Sequence, residues 1–234
     1  MAGTSMQRVN FTSEDSINLE AKFYYDRKPL VADGRRSCVL VVHPHPKLGG
    51  TCDNPVVVEM ALSMVKEGGL GMCLNLRGVG RSGGSSSWRG DNEVKDVIAA
   101  VKYLKERDDV GSVYLVGYSF GACVATTAML SLRDSVDGFS LLSPPWGRIS
   151  SIILGHHFKN ESQTGQIPKM VVAGTDDIFS SEGAFKKHFE ALPEPKTKLV
   201  VNRASHFWVN EEQKATTPIA KFFSSLEAAR DEKR

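Results

Sequence analysis

The sequence predicts an α/β protein, a mostly parallel sheet covered by helices on both faces. Three observations carry this. Short β-branched runs alternate along the chain with stretches of helical apolar spacing. The spacing between successive runs suits right-handed crossovers between parallel strands. The motifs with chemistry in them fall at the carboxyl ends of predicted strands, where ligands bind in such sheets.

Each element has its own justification. Residues 7–11 and 19–25 alternate apolar with polar side chains, and the Ser13-Glu14-Asp15 turn predicts an antiparallel hairpin at a sheet edge. A polar loop with Pro29 and Asp33-Gly34 fills 26–36. Residues 37–42 are continuously β-branched or apolar, as in a strand buried on both faces. They run into His43-Pro44-His45-Pro46, a loop stiffened by its prolines. Asn54 and Pro55 then suit the cap and first position of a helix over 56–67, ended by Gly68-Gly69. A buried strand over 71–76 leads to the turn-rich stretch 77–84. Asp91 is placed to cap a helix over 93–107, whose Val94, Val97, Ile98, Val101 and Leu104 share one face.

The second half repeats the alternation. A strand over 112–116 turns directly into a helix over 120–130, and a strand over 138–143 stops at Pro144-Pro145. Residues 148–166 have a weak pattern, with Ile149, Ile152, Ile153 and Leu154 apolar among polar neighbours. This predicts a short cap, roughly 146–166, with a helical turn or two. A strand over 169–173, a helix over 184–191, a strand over 198–202 and a closing helix over 217–229 follow. The charged tail 230–234 is expected to fray.

At 234 residues the chain suits a single domain spanning 1–234. Apolar residues at 41% suffice for a full core, and a net charge of +2 without a basic block argues against a nucleic-acid partner. The first ten residues are polar and lack the apolar core of a signal peptide, and no run approaches a membrane span. Cys38, Cys52, Cys73 and Cys123 mostly fall in predicted strands or helices, with no Cys-x-x-Cys and no Cys/His cluster. Reduced thiols, a cytoplasmic location and no metal are therefore expected. Oligomeric state is not legible here.

The chemistry centres on Gly117-Tyr118-Ser119-Phe120-Gly121. A strand that turns into a helix around one serine holds that residue exposed in a strained conformation, and glycines are needed where a Cβ would strike the neighbouring chain. The turn also puts Ser119 at a helix N-terminus, whose free N–H groups favour a developing oxyanion. Serine needs a base, and the base an orienting acid; in strand–turn–helix nucleophile folds the order is Ser, acid, His. Asp177, after the 169–173 strand, is the candidate acid, with Asp176 as the alternative and an ordinary turn cap as the non-catalytic reading. His206, after the last strand, is the candidate base. His188 competes on order but sits on the flank of a predicted helix, and His156 and His157 read as cap surface. Phe120 N–H is one candidate oxyanion donor; since Pro44 and Pro46 have no N–H, His45 is the earliest candidate for the other, followed by Lys47 and Leu48. His43 reads as structural, Arg77 as a clamp on loop carbonyls, and Trp146 as either a pocket wall or a core-edge aromatic.

These residues resemble the α/β-hydrolase superfamily, and within it small bacterial-type serine hydrolases of the dienelactone hydrolase and esterase kind. The matching stretches are His43 to Asn54, Asn75 to Ser82, Gly117 to Gly121, Ser143-Pro144-Pro145, Gly174 to Asp177 and Ser205-His206. The resemblance implies the α/β-hydrolase fold with about eight strands, a Ser119–Asp177–His206 triad and no cofactor. It does not fix a substrate. A short cap suits small to medium acyl esters; thioesters or peptides would use the same machinery, and a non-catalytic binding protein could keep the fold.

Overall fold

The computed structural model describes residues 3–26 and 34–232. Most of the expected 26–36 loop and the last two residues of the charged tail lie outside the described residues.

The chain begins as expected, with β1 (Thr4–Thr12) and β2 (Asn18–Asp26) paired antiparallel. Then come β3 (Arg36–Val42), α1 (Pro55–Lys66), β4 (Leu70–Asn75) and α2 (Glu93–Lys105). After them lie β5 (Val110–Tyr118), α3 (Phe120–Leu132), β6 (Gly138–Leu142) and α4 (Arg148–Phe158). The chain closes with β7 (Lys169–Asp176), α5 (Glu182–Ala191), β8 (Lys196–Ser205) and α6 (Glu212–Asp231). One eight-stranded sheet results, in the order β1-β2-β4-β3-β5-β6-β7-β8. Among the described residues, only β1–β2 and β2–β4 pair antiparallel.

Strand periodicity divides the core in two. Leu40 and Val42 of β3 and Val113 and Leu115 of β5 face α2 and α3. The intervening Val39, Val41, Tyr114 and Val116 face α1 and α6. Such strands read as unbroken apolar runs because both faces are covered.

Four elements exceed their sequence signal. β7 and β8 run on past the apolar stretches, because pairing between them extends to Asp176 and Ser205 through an irregularity after Gly174. A Cβ on Gly174 would lie 1.9 Å from the Ala204 carbonyl oxygen, so this crossing requires glycine. α6 begins at Glu212 and continues through Pro218, held by the buried face of Ala215, Ile219 and Phe223. α4 has eleven residues rather than a turn or two. Its pattern is weak because only Leu154 and His157 face inward while Ile149 and Ile152 are exposed.

Candidate active site

The carboxyl ends of β5, β7 and β8 deliver the three candidate residues. Ser119 follows β5 with φ 55° and ψ −118°, an uncommon conformation for a residue with a side chain. The turn is enforced from both sides. A Cβ on Gly117 would lie 2.4 Å from the Gly121 carbonyl oxygen, and one on Gly121 would lie 2.3 Å from that of Val42. The Ser119 N–H donates to the Leu142 carbonyl at 2.9 Å, anchoring the turn to β6.

His206 comes off β8 beneath this serine. Its Nε2 lies 2.9 Å from Ser119 Oγ, and its Nδ1 lies 2.8 Å and 3.0 Å from the two carboxylate oxygens of Asp177. A carboxylate only accepts, so Nδ1 carries the proton and Nε2 is left to accept from the serine hydroxyl. Both His206 and Asp177 are buried. Asp177 also accepts from the Phe179 N–H at 2.8 Å. The imidazole is fixed by Tyr118, whose hydroxyl donates to the His206 carbonyl at 2.8 Å, and by the Phe179 ring 4.5 Å away. Asp176, the alternative acid, is exposed and accepts from the Thr175 hydroxyl instead. The strand consumes Asp176 and the turn presents Asp177.

The loop after β3 closes another side. His43 is fully buried; its Nδ1 donates to the Pro44 carbonyl at 2.6 Å and its Nε2 accepts from the Leu76 N–H. Burial pushes its pKa down to about 4, so the ring is a neutral spacer. His45 Nδ1 accepts from the Lys47 N–H, leaving Nε2 to donate to the Trp88 carbonyl at 3.3 Å. Its ring lies 4.4 Å from that of Phe120. Among the described residues, neither the Phe120 nor the His45 N–H is bound to a carbonyl. Both residues border the cavity that holds Ser119 and His206.

That cavity is about 290 Å³. Larger ones lie elsewhere, for example about 490 Å³ between α5 and β8, but they do not reach the serine. Its walls include Trp88, Phe179, Phe207, Ile149 and Ile153, none of which the sequence singled out for the pocket. A lone tryptophan in the Ser- and Gly-rich stretch 83–90 was the available signal for Trp88.

Several expectations need correction. Trp146 does not line the cavity: it is 3% exposed and stacks on His188, rings 5.2 Å apart, with Phe185 beside it. The turn at Pro144-Pro145 sends it into the layer under α4, while Pro145 takes the wall position. His157 is not cap surface but buried, bonded to the Thr127 hydroxyl and the Arg89 carbonyl at 2.6 Å each. Arg77 clamps carboxylates rather than carbonyls, reaching Asp96 at 2.7 Å and Asp15 at 2.8 Å. Asp91 does not cap α2; Asn92 occupies that position without a side-chain bond, and Asp91 lies 2.9 Å from His156.

A nucleophile-type turn after a central strand, in a sheet of this order, defines the α/β-hydrolase fold. A family model described as the alpha/beta hydrolase fold matches residues 71–155. The chain is similar to an uncharacterized protein of Rickettsia prowazekii, 27% identical over 195 residues that cover 81% of this chain and 79% of that one. A 52-residue stretch is 42% identical to the esterase EstD of Thermotoga maritima, covering 22% of this chain and 12% of the esterase. Among solved structures, a serine hydrolase without lid from Xanthomonas campestris superposes with a TM-score of 0.71 at 24% identity, covering 90% of this chain and 89% of its own. The chain is an α/β-hydrolase-fold protein, similar to small bacterial-type serine hydrolases.

Proposed function

We propose that the protein is a serine hydrolase that cleaves carboxylic esters of small to medium acyl groups through an acyl-enzyme. The hydrogen-bonded line Ser119–His206–Asp177 is the observation that carries this reading. Ser119 Oγ attacks the acyl carbon while His206 Nε2 takes its proton. The developing oxyanion is held by the N–H groups of Phe120 and His45, which preorganised donors stabilise more in the transition state than in the ground state. His206 then passes the proton to the leaving alcohol. Water, deprotonated by the same nitrogen, releases the acid and restores Ser119. Asp177 keeps the imidazole in the required tautomer and stabilises the imidazolium. The four free, buried cysteines support a reducing compartment, in keeping with a cytoplasmic enzyme.

A fluorophosphonate probe tests the core of this. Wild-type protein should gain one adduct mass, and Ser119→Ala should gain none. Folded wild type that takes no adduct would mean Ser119 is not an activated nucleophile, and the hydrolase reading would fall.

A further inference from the structure

The exposed apolar side chains of this protein are unevenly placed. Leu48, Trp88, Ile149, Ile153 and Phe207 are 37–82% exposed, and all five border the cavity at Ser119. Large apolar groups left in water at a cavity mouth mark a binding surface. Among the described residues, no Lys, Arg, Asp or Glu lines this cavity.

The Trp88 wall is built rather than incidental. Trp88 is half exposed, yet its loop is fixed by side chains from the β3 loop, α2 and α4. The Ser87 hydroxyl donates to Glu93 on α2 at 2.8 Å and accepts from the Gly90 N–H at 2.8 Å. The Trp88 carbonyl accepts from His45, and the next carbonyl, of Arg89, accepts from His157 on α4. The Arg89 carbonyl can only accept, so the neutral His157 ring carries its proton on Nε2 and its Nδ1 accepts from the Thr127 hydroxyl, which in turn accepts from the Asn160 amide. Gly90 holds φ 83° where a Cβ would crowd Val124 at 2.9 Å. An indole on a loop held this firmly, 4.8 Å from the His45 ring and bordering the cavity of Ser119 together with isoleucines, presents a surface for a ligand.

We propose that Trp88, with Ile149 and Ile153 of α4, forms a groove for a neutral aliphatic acyl chain, so that the substrates are medium-chain esters. This rests on the serine-esterase reading. The groove opens at Ser119, so whatever fills it is continuous with the attacked carbonyl. At about 290 Å³ the cavity lies close to the lower end of small-ligand sites, which suits an acyl chain of medium length, on the order of eight carbons. An acyl group bearing a second carboxylate would find no counter-charge there and would lose its hydration. Carboxylated lactones are therefore poor candidates.

The experiment is a series of 4-nitrophenyl esters from acetate to dodecanoate, with octanoate esters of several alcohols alongside. kcat/KM should rise about two- to fourfold per added methylene, up to about eight carbons, and then level off. Trp88→Ala and Ile149→Ser should lower the octanoate rate about tenfold more than the acetate rate. Ile152→Ser is the control: it is 81% exposed on the same helix but does not border the cavity, so it should leave the profile unchanged. Turnover of acetate with a flat or falling profile overturns the groove and leaves the esterase reading standing. Sensitivity to alcohol length rather than acyl length overturns the acyl assignment. An effect of Ile152→Ser equal to that of Ile149→Ser overturns the groove in favour of a general apolar surface. No turnover of any ester overturns both readings.

Discussion

At Asp177 and Asp176 one step along the chain separates a buried partner of His206 from an exposed residue at the end of β7. The proposed mechanism makes this difference measurable. Asp177→Asn turns a group that only accepts into an amide that can donate to Nδ1. The imidazole would then hold its proton on the nitrogen facing Ser119. kcat/KM on a short ester should fall by roughly 10³–10⁴-fold, while Asp176→Asn should stay within a few-fold. Equal losses for the two variants would remove Asp177 from the proposed triad. The same scale explains Trp146. From sequence alone a tryptophan after two prolines suits a pocket or a core edge equally. The direction of the turn decides, and here it sends the ring against His188.

Among the elements, the loop after β4 is held by charge buried between strands and helix. Arg77 is 5% exposed and Asp96 fully buried, with three of their bonds at 2.7–3.1 Å. Burial raises the Asp96 pKa although Arg77 opposes it, and hydrogen bonds from Arg77 hold Asp15 below the usual carboxylate range. Arg77→Met would leave Asp96 buried and unpaired. The expected cost is about 3–5 kcal/mol, a fall in Tm of roughly 6–20 °C for a chain of this size. Pairing it with Asp96→Leu should recover part of the loss, since the stranded charge is then gone. A single-variant loss below about 1 kcal/mol in urea unfolding would mean that Asp96 is not stranded as a charge. Helix α4 shows the opposite case, where an outward apolar face blurs the period by which a helix is recognised.

For the molecule as a whole, two neutral buried histidines link stability to pH. Burial lowers both His43 and His157 to about 4 in the folded protein, against about 6.5 when unfolded. Between those values the unfolded chain binds more protons. Their contribution is therefore complete above about pH 6.5 and is lost as pH falls toward 4. Asp96 and Glu161, raised by burial, act in the opposite direction, so a difference measurement isolates the histidine. The stability of wild type minus that of His157→Gln should shrink by roughly 2 kcal/mol between pH 7 and pH 5. A difference that does not change with pH would refute the neutral, buried assignment.

The sequence by itself determined the alternation of strands and helices, the glycine-flanked elbow at Ser119, and the order in which Ser119, Asp177 and His206 follow their strands. These are local: buried parallel strands must be apolar on both faces, and the elbow needs glycine wherever a Cβ would meet backbone. Only the tertiary structure decided which side chains share a space. The extension of β7 and β8 comes from pairing between them, the length of α6 from its packing, and the Trp88 wall from His45, Glu93 and His157 arriving from distant parts of the chain. Contacts of that kind leave no periodic trace, because each partner alone is an ordinary loop or helix residue.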